Sequence, residues 1–330
     1  MVSSPEDARP AASKLARIIA GAWPLIAGAL TGIVLRLVFR GESGAALNAM
    51  MASFTLLAPI AVGAVAVFAA ELRARRSWAY YFGAAAVANA LFVLGTLLIM
   101  IEGIICAILA VPLFALIGGL AGLLMGAACR WLMRPRRAVY CAAALPLLLG
   151  AIEQRIPLPD DVDTVVTERV IAAPPERVWA QLLSAPEIEP RELKSAWMYR
   201  IGVPLPLSAV TEQRGGELVR HIAMGRGVRF DQVAAEWEPM RRIIWTYRFS
   251  PDSFPPGALD DHVRIGGPHF DLLETEYALE AAAGGTRLTA RMRYRVSTHF
   301  NWYARPLASL LVENFEETAL EFYARRAETP

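Results

Sequence analysis

Five uncharged apolar runs crowd the first 152 residues, and they dictate what that half of the chain can fold into. Ile18–Leu35 has 18 residues, Leu47–Ala70 has 24, Ala79–Ile101 has 23 and Gly103–Cys129 has 27. A helix rising 1.5 Å per residue needs about 20 residues to cross the roughly 30 Å hydrocarbon core of a bilayer. The last three satisfy this outright. The first does so by drawing in Leu15 and Ala16 and letting Arg17 and Arg36 reach toward the headgroups. The fifth run, Ala138–Ile152, has 15 residues and contains Pro146, so it reads either as a short span or as one arm of an interfacial hairpin. The expected spans are about 15–36, 47–71, 78–101, 103–129 and 138–152, a bundle of four or five.

The first run is too long for a cleavable signal, no small-x-small site precedes a soluble domain, and further spans follow it. Gly118, Gly119, Gly122 and Gly126 have the small-xxx-small spacing that lets helices approach closely. No ionisable residue lies deep in a run, so a packed anchor bundle is the favoured reading, with a conduit for an apolar molecule as the other. Ten basic residues (Arg9, Lys14, Arg17, Arg73, Arg75, Arg76, Arg130, Arg134, Arg136, Arg137) flank the runs on one side, against Arg36, Arg40 and Arg155 on the other. Positive charge marks the cytoplasmic side, so the N-terminus is expected there, in a bacterial inner or plasma membrane. The C-terminal half is then expected outside, with 138–152 spanning, and in the cytoplasm only if 138–152 does not span.

Charge separates the halves. Residues 1–159 hold 13 Arg and Lys against 6 Asp and Glu, whereas 160–330 hold 20 against 25. The basic residues of the first half sit in short clusters between apolar runs, which excludes a nucleic-acid surface. Over the whole chain 55% of residues are hydrophobic and 19% charged, which excludes a wholly cytosolic enzyme or a disordered chain. Two domains are expected, 1–155 and 160–330.

The second half alternates like strands between helices. A strand over Thr164–Ile171 is followed by Ala172-Ala173-Pro174-Pro175, and proline at a first helical position opens a helix over Glu176–Leu183. A short helix is expected at Glu187–Leu193. Strands follow at Leu207–Gln213, Glu217–Met224, Val228–Trp237, Arg242–Phe249, Phe270–Ala281 and Thr286–Ser297, then a long helix over Trp302–Arg326. The order β-α-α-β₆-α is an α+β meander around one helix.

That order, opening with VVTERVIAAPPERVWAQLLS and closing with NWYARPLASLLVENFEETALEFYARRAE, resembles the polyketide cyclase/dehydrase and lipid-transport superfamily, also called START-like or SRPBCC. The resemblance covers roughly residues 162–327. It implies a helix-grip fold with a hydrophobic cavity between a curved antiparallel sheet and the C-terminal helix. Its members include lipid carriers, quinone-binding proteins and aromatase/cyclases, so fold alone does not assign function.

Strand alternation supports such a cavity independently. Ile243, Trp245, Tyr247 and Phe249 share one face, as do Leu273, Thr275, Tyr277 and Leu279, and Leu288, Ala290, Met292, Tyr294 and Val296. Arg287, Arg291, Arg293 and Arg295 point the other way. The Ala282–Gly285 turn pairs Glu280 with Arg287, Glu276 with Arg291 and Glu274 with Arg293, which makes the arginines an outer, paired face. On the last helix Leu307, Leu311, Asn314, Phe315, Thr318 and Phe322 form a stripe at 100° per residue. Asn314 and Thr318 interrupt it, so each either meets a backbone group or faces a ligand. The candidate cavity residues are therefore Trp245, Tyr247, Thr275, Tyr277, Met292, Tyr294, Leu311, Asn314, Phe315 and Thr318.

Two segments are candidates for a lid or mouth: Trp197–Leu207, with Trp197 and Tyr199, which also reads as a lipid-headgroup contact, and Ser250–His269, with Phe254, Asp260, His262 and His269. Asp260, Asp261, His262 and His269 together suggest a metal site, but no HxH, HxxxH or CxxC spacing accompanies them, so no metal or cofactor is expected. Cys106, Cys129 and Cys141 all lie in the apolar runs. No GxSxG, P-loop or GxGxxG element occurs. The leading expectation is a membrane-anchored binding module for a lipid, quinone or similar apolar molecule. The alternatives are a cyclase/dehydratase-type enzyme working with mouth Tyr, His or Asp side chains and an assembly partner for other membrane proteins.

Overall fold

A computed structural model describes residues 14–41, 47–132, 136–193 and 196–329. Arg9 and Arg134, counted in the charge asymmetry, fall outside these, as do the side chains of Lys14, Arg17 and Asp261. The chain divides into two compact units, Met1–Ile101 with Ala110–Arg155, and Glu102–Leu109 with Ile156–Pro330.

The first unit is helical: α1 (Lys14–Val38), α2 (Ala52–Glu71), α3 (Trp78–Leu98), α4 (Ile104–Trp131), whose residues 104–109 belong to the second unit, and α5 (Arg136–Glu153). The first four are long and apolar enough to cross a membrane. The α5 helix, with Arg136 and Arg137 in its first turn and Pro146 inside, is not among them. Glycine lets the helices touch. A Cβ on Gly63 of α2 would collide with the Gly118 carbonyl oxygen of α4, and one on Gly126 would run into the Tyr81 ring of α3. Asn89 is fully buried, and its amide donates to the carbonyls of Ala85 at 3.0 Å and Pro59 at 3.3 Å. Glu153, at the end of α5, accepts the Ala52 and Ser53 amides at 2.6 and 2.7 Å. A carboxylate there satisfies orphan donors and complements the helix dipole.

The second unit is a helix-grip domain: β1 (Asp160–Ile171), α6 (Pro175–Leu183), β2 (Ser184–Ala185), β3 (Pro206–Arg214), β4 (Glu217–Met224), β5 (Arg229–Glu238), β6 (Arg242–Arg248), β7 (Phe270–Ala282), β8 (Gly285–Ser297) and α7 (Asn301–Glu328). The strands form one antiparallel sheet, ordered β1-β8-β7-β6-β5-β4-β3-β2. The expected short helix at 187–193 contracts to a 3₁₀ turn at Pro190–Leu193, as Pro190 cannot extend a helix N-terminally.

The β7–β8 register pairs Glu280 with Arg287, Glu276 with Arg291 and Glu274 with Arg293. Arg291 and Arg293 reach their partners at 3.1 and 3.0 Å on the exposed face. The opposite face is buried against α7 in two clusters. One gathers Ile243, Trp245, Tyr277, Leu279 and Leu288 with Leu320, Phe322 and Tyr323. The other gathers Met292, Tyr294 and Val296 with Ala308 and Val312. Between them α7 buries three polar side chains, Asn314, Glu316 and Thr318.

Candidate functional site

Directly paired residues of an antiparallel sheet share a face, so the register places side chains in rows beneath α7. One row runs Arg220, Gln232, Tyr247 across β4, β5 and β6. The next runs Trp245, Thr275, Met292, Val165, and the third Ile243, Tyr277, Ala290, Thr167.

Arg220 lies inside, 4% exposed. Its Nη2 donates to the Tyr323 hydroxyl at 2.8 Å, and the guanidinium sits 5.8 Å from the centre of the Trp245 ring. Its Nε has no hydrogen-bond partner, and among the described residues no carboxylate pairs with it. A guanidinium does not give up its proton, so this is a buried cation facing neutral groups. Beside it the Gln232 Oε1 and the Trp245 Nε1 are buried and unpartnered. The Tyr247 hydroxyl shares a 2.6 Å hydrogen bond with the Thr275 hydroxyl, and burial pushes its phenol up to about 12. The Tyr277 ring meets that of Tyr323 edge-on at 5.8 Å, and burial raises its phenol as well.

Glu316 comes from α7, 1% exposed. Its Oε2 accepts the Thr167 hydroxyl at 2.8 Å, and Oε1 has no partner. Burial pushes the carboxyl up to about 8 against the pull of the Thr167 hydroxyl and the Met292 backbone amide, with the Glu313 charge adding to the rise. Glu316 acts electrostatically on Tyr247 and Tyr277, as Arg220 does. The interior thus carries a cation, a protonatable carboxyl and several unpartnered polar atoms among aromatic rings.

The family pattern described as polyketide cyclase / dehydrase and lipid transport matches residues 163–328. The chain belongs to that family. Among solved structures it is similar to TTHA0849 from Thermus thermophilus, with 23% identity and TM-score 0.31 over 50% of this chain and 97% of that one. It is also similar to the Zhui aromatase/cyclase from Streptomyces sp. R1128, with 15% identity and TM-score 0.31 over 51% and 94%. A third is the di-domain ARO/CYC BexL from the BE-7585A biosynthetic pathway, with 16% identity and TM-score 0.30 over 61% and 61%. The curated proteins give no match.

Within this polyketide cyclase / dehydrase domain, Trp245, Thr275, Tyr277, Met292, Tyr294, Asn314 and Thr318 are buried, whereas Tyr247, Leu311 and Phe315 are half-buried. Both interruptions of the α7 stripe meet backbone. Asn314 Oδ1 accepts the Met198 amide at 3.3 Å, and the Thr318 hydroxyl donates to the Asn314 carbonyl at 2.7 Å. The centre of the buried face falls one residue beyond the expected stripe, on Val312, Glu316 and Leu320 rather than Leu311 and Phe315, because α7 packs on β1 as well as on β8.

The mouth candidates disperse. Trp197 is 39% exposed, whereas Tyr199 packs on the core. Phe254 lies 5.5 Å from the Phe249 ring. Asp260 accepts the Cys106 amide at 3.2 Å, and His262 lies 4.0 Å from Glu102, both within the second unit. His269 is buried with Nδ1 3.0 Å from the Ser297 carbonyl, and burial lowers its pKa. Among the described residues no three His, Cys, Asp or Glu side chains gather where one metal ion could be held. An open groove of about 620 Å³ near the end of α7 is lined by Arg177, Glu192, Arg325 and Arg326. Its arginines are taken up by Glu192 and by the carbonyls of Thr329, Glu192 and Glu187, which leaves them little to offer a ligand.

The sequence reading missed Arg220, Gln232, Tyr323 and Glu316. Two of them left a signal. Arg220 alternates with Leu218 and Ile222 along β4, and Glu316 stands four residues from both Val312 and Leu320, so each occupies an apolar face.

Proposed function

We propose that the C-terminal domain binds a small molecule with an apolar body and an acidic oxygen function, taken between the sheet and α7 with the oxygen at Arg220. The observation that carries this reading is the buried, uncompensated guanidinium. A lone buried charge costs several kcal/mol, and a carboxylate, phenolate or enolate at Nε would relieve that cost. Tyr199 and Tyr247 add support as half-buried phenols of that interior whose pKa values burial raises. A fatty acid, a quinol or another apolar oxygen compound fits this description. The four apolar helices hold the domain beside a bilayer, which dissolves such molecules, and the role is sensing or transfer.

Calorimetry of the full chain in detergent tests the reading. 2-Naphthoate is expected to bind at least tenfold tighter than uncharged 2-methylnaphthalene, and Arg220→Met is expected to abolish the difference. Equal affinities in the wild-type chain overturn it. A cyclase/dehydratase-type enzyme is the second reading. It is favoured by Glu316, a carboxyl suited to proton transfer near neutral pH in the same interior as a cation able to stabilise an oxyanion.

A further inference from the structure

Glu316 stands apart from every other buried group on α7. Asn314 and Thr318, its buried neighbours, are occupied by backbone, while Glu316 reaches past them with one oxygen on Thr167 and the other unpartnered. It lies where the two apolar clusters part, over the row that carries Thr167, Ala290 and Tyr277. Arg220 approaches the same interior from β4, three strands beyond β7. A carboxyl without a function at such a place is costly, since an unmet buried oxygen loses about 1–3 kcal/mol.

We propose that Glu316 is a ligand-binding group, and that with Arg220 it selects an apolar molecule bearing two separated oxygen functions, an acidic one at Arg220 and a hydroxyl or carbonyl at Glu316. The inference rests on the interior-binding reading above. At neutral pH the carboxyl, pushed up to about 8 by burial, is largely protonated and both donates and accepts a hydrogen bond. It therefore serves either a hydroxyl or a carbonyl. The titratable groups that interact with it are Glu313 on its own helix and Tyr247 and Tyr277 from the sheet. None of them is a carboxylate of the sheet face that would compete for the proton.

The test uses the full chain in detergent, with micelle-only blanks, and rigid two-ring probes. 2-Naphthoate offers one oxygen function, and its 5-, 6- and 7-hydroxy derivatives add a second at different distances. At least one hydroxynaphthoate is expected to bind roughly tenfold tighter than 2-naphthoate. Glu316→Leu is expected to erase that advantage, bringing the ratio of hydroxynaphthoate to 2-naphthoate affinity to within twofold of one. This substitution removes a buried carboxyl in favour of an apolar side chain, so the fold persists. The result that overturns the proposal is Arg220-dependent binding of 2-naphthoate with no hydroxyl preference, or a preference that survives in Glu316→Leu. If no naphthoate binds the wild-type chain, the interior-binding reading itself fails, a distinct outcome that takes this proposal with it.

Discussion

The Arg220 guanidinium donates to the Tyr323 hydroxyl at 2.8 Å across the interior of the second unit, and among the described residues no carboxylate pairs with it. A permanent charge has been folded against a neutral phenol. Breaking a buried ion pair costs about 3–5 kcal/mol because it strands a charge. Here the charge is already stranded, so removing it relieves a penalty.

Arg220→Met is therefore expected to leave stability within about 1 kcal/mol of wild type or to raise it, even though the Tyr323 hydroxyl loses its donor. Thermal unfolding of the ligand-free full chain in detergent checks this. A fall of about 3 kcal/mol or more, the cost of breaking a buried pair, would mean that the arginine is a structural strut.

Glu316 predicts a pH dependence whose sign can be worked out. Its folded pKa of about 8 lies above its usual value of 4.5, so the folded state holds the proton more tightly than the unfolded state does. That contribution is complete below pH 4.5 and is lost as pH climbs through 8. The loss is on the order of 3–5 kcal/mol, at about 1.4 kcal/mol per unit. His269, with its lowered pKa, acts in the opposite direction below pH 6.5, so the informative quantity is the difference between wild type and Glu316→Leu. That difference should move in favour of Glu316→Leu between about pH 5 and 8.5. A flat difference contradicts the burial of the carboxyl.

In the helical unit, Gly63→Ala drives a methyl into the Gly118 backbone, a collision that no side-chain motion can relieve. Gly83→Ala on α3 meets nothing within 4 Å. The first is expected to cost about 1–3 kcal/mol, as overpacking does, and the second to be neutral. Melting of both variants in the same detergent compares them directly.

Four crossings would return the chain to the side on which it began; with the basic flanks facing the cytoplasm, the C-terminal domain is then expected there, against the outside placement that five crossings predict. A Gln213→Cys probe on exposed β3, in a chain cleared of Cys106, Cys129 and Cys141, should then react with an impermeant maleimide only after cells are broken. Labelling of intact cells would mean that Ala138–Ile152 crosses.

Much of the fold was legible because periodicity reports burial. The alternation of Phe270–Ala281 and Thr286–Ser297 placed Tyr277 and Met292 inside and the Arg287–Arg295 stripe outside, and the four-residue turn between them set the charge pairing found in the register. On α7 the same logic slipped by one residue, because a helix packed on β1 as well as on β8 of the sheet buries more than a stripe, and polar Glu316 sits at the centre of what is covered. The site was less legible still. Arg220 was hidden among the chain's many arginines, since hydropathy treats a charged residue on an inward face as a surface one. Histidine and aspartate in the Ser250–His269 loop drew attention by residue type, whereas the structure ties Asp260 and His269 to backbone. Burial without a partner is a three-dimensional property that no spacing encodes.

Native mass spectrometry of the full chain, purified in mild detergent beside its Arg220→Met variant, puts the central claim to its most direct test. The account predicts that the wild-type chain retains an apolar acidic molecule that the variant lacks. Identical masses for the two chains beyond the substitution itself, with no retained molecule in either, would contradict it.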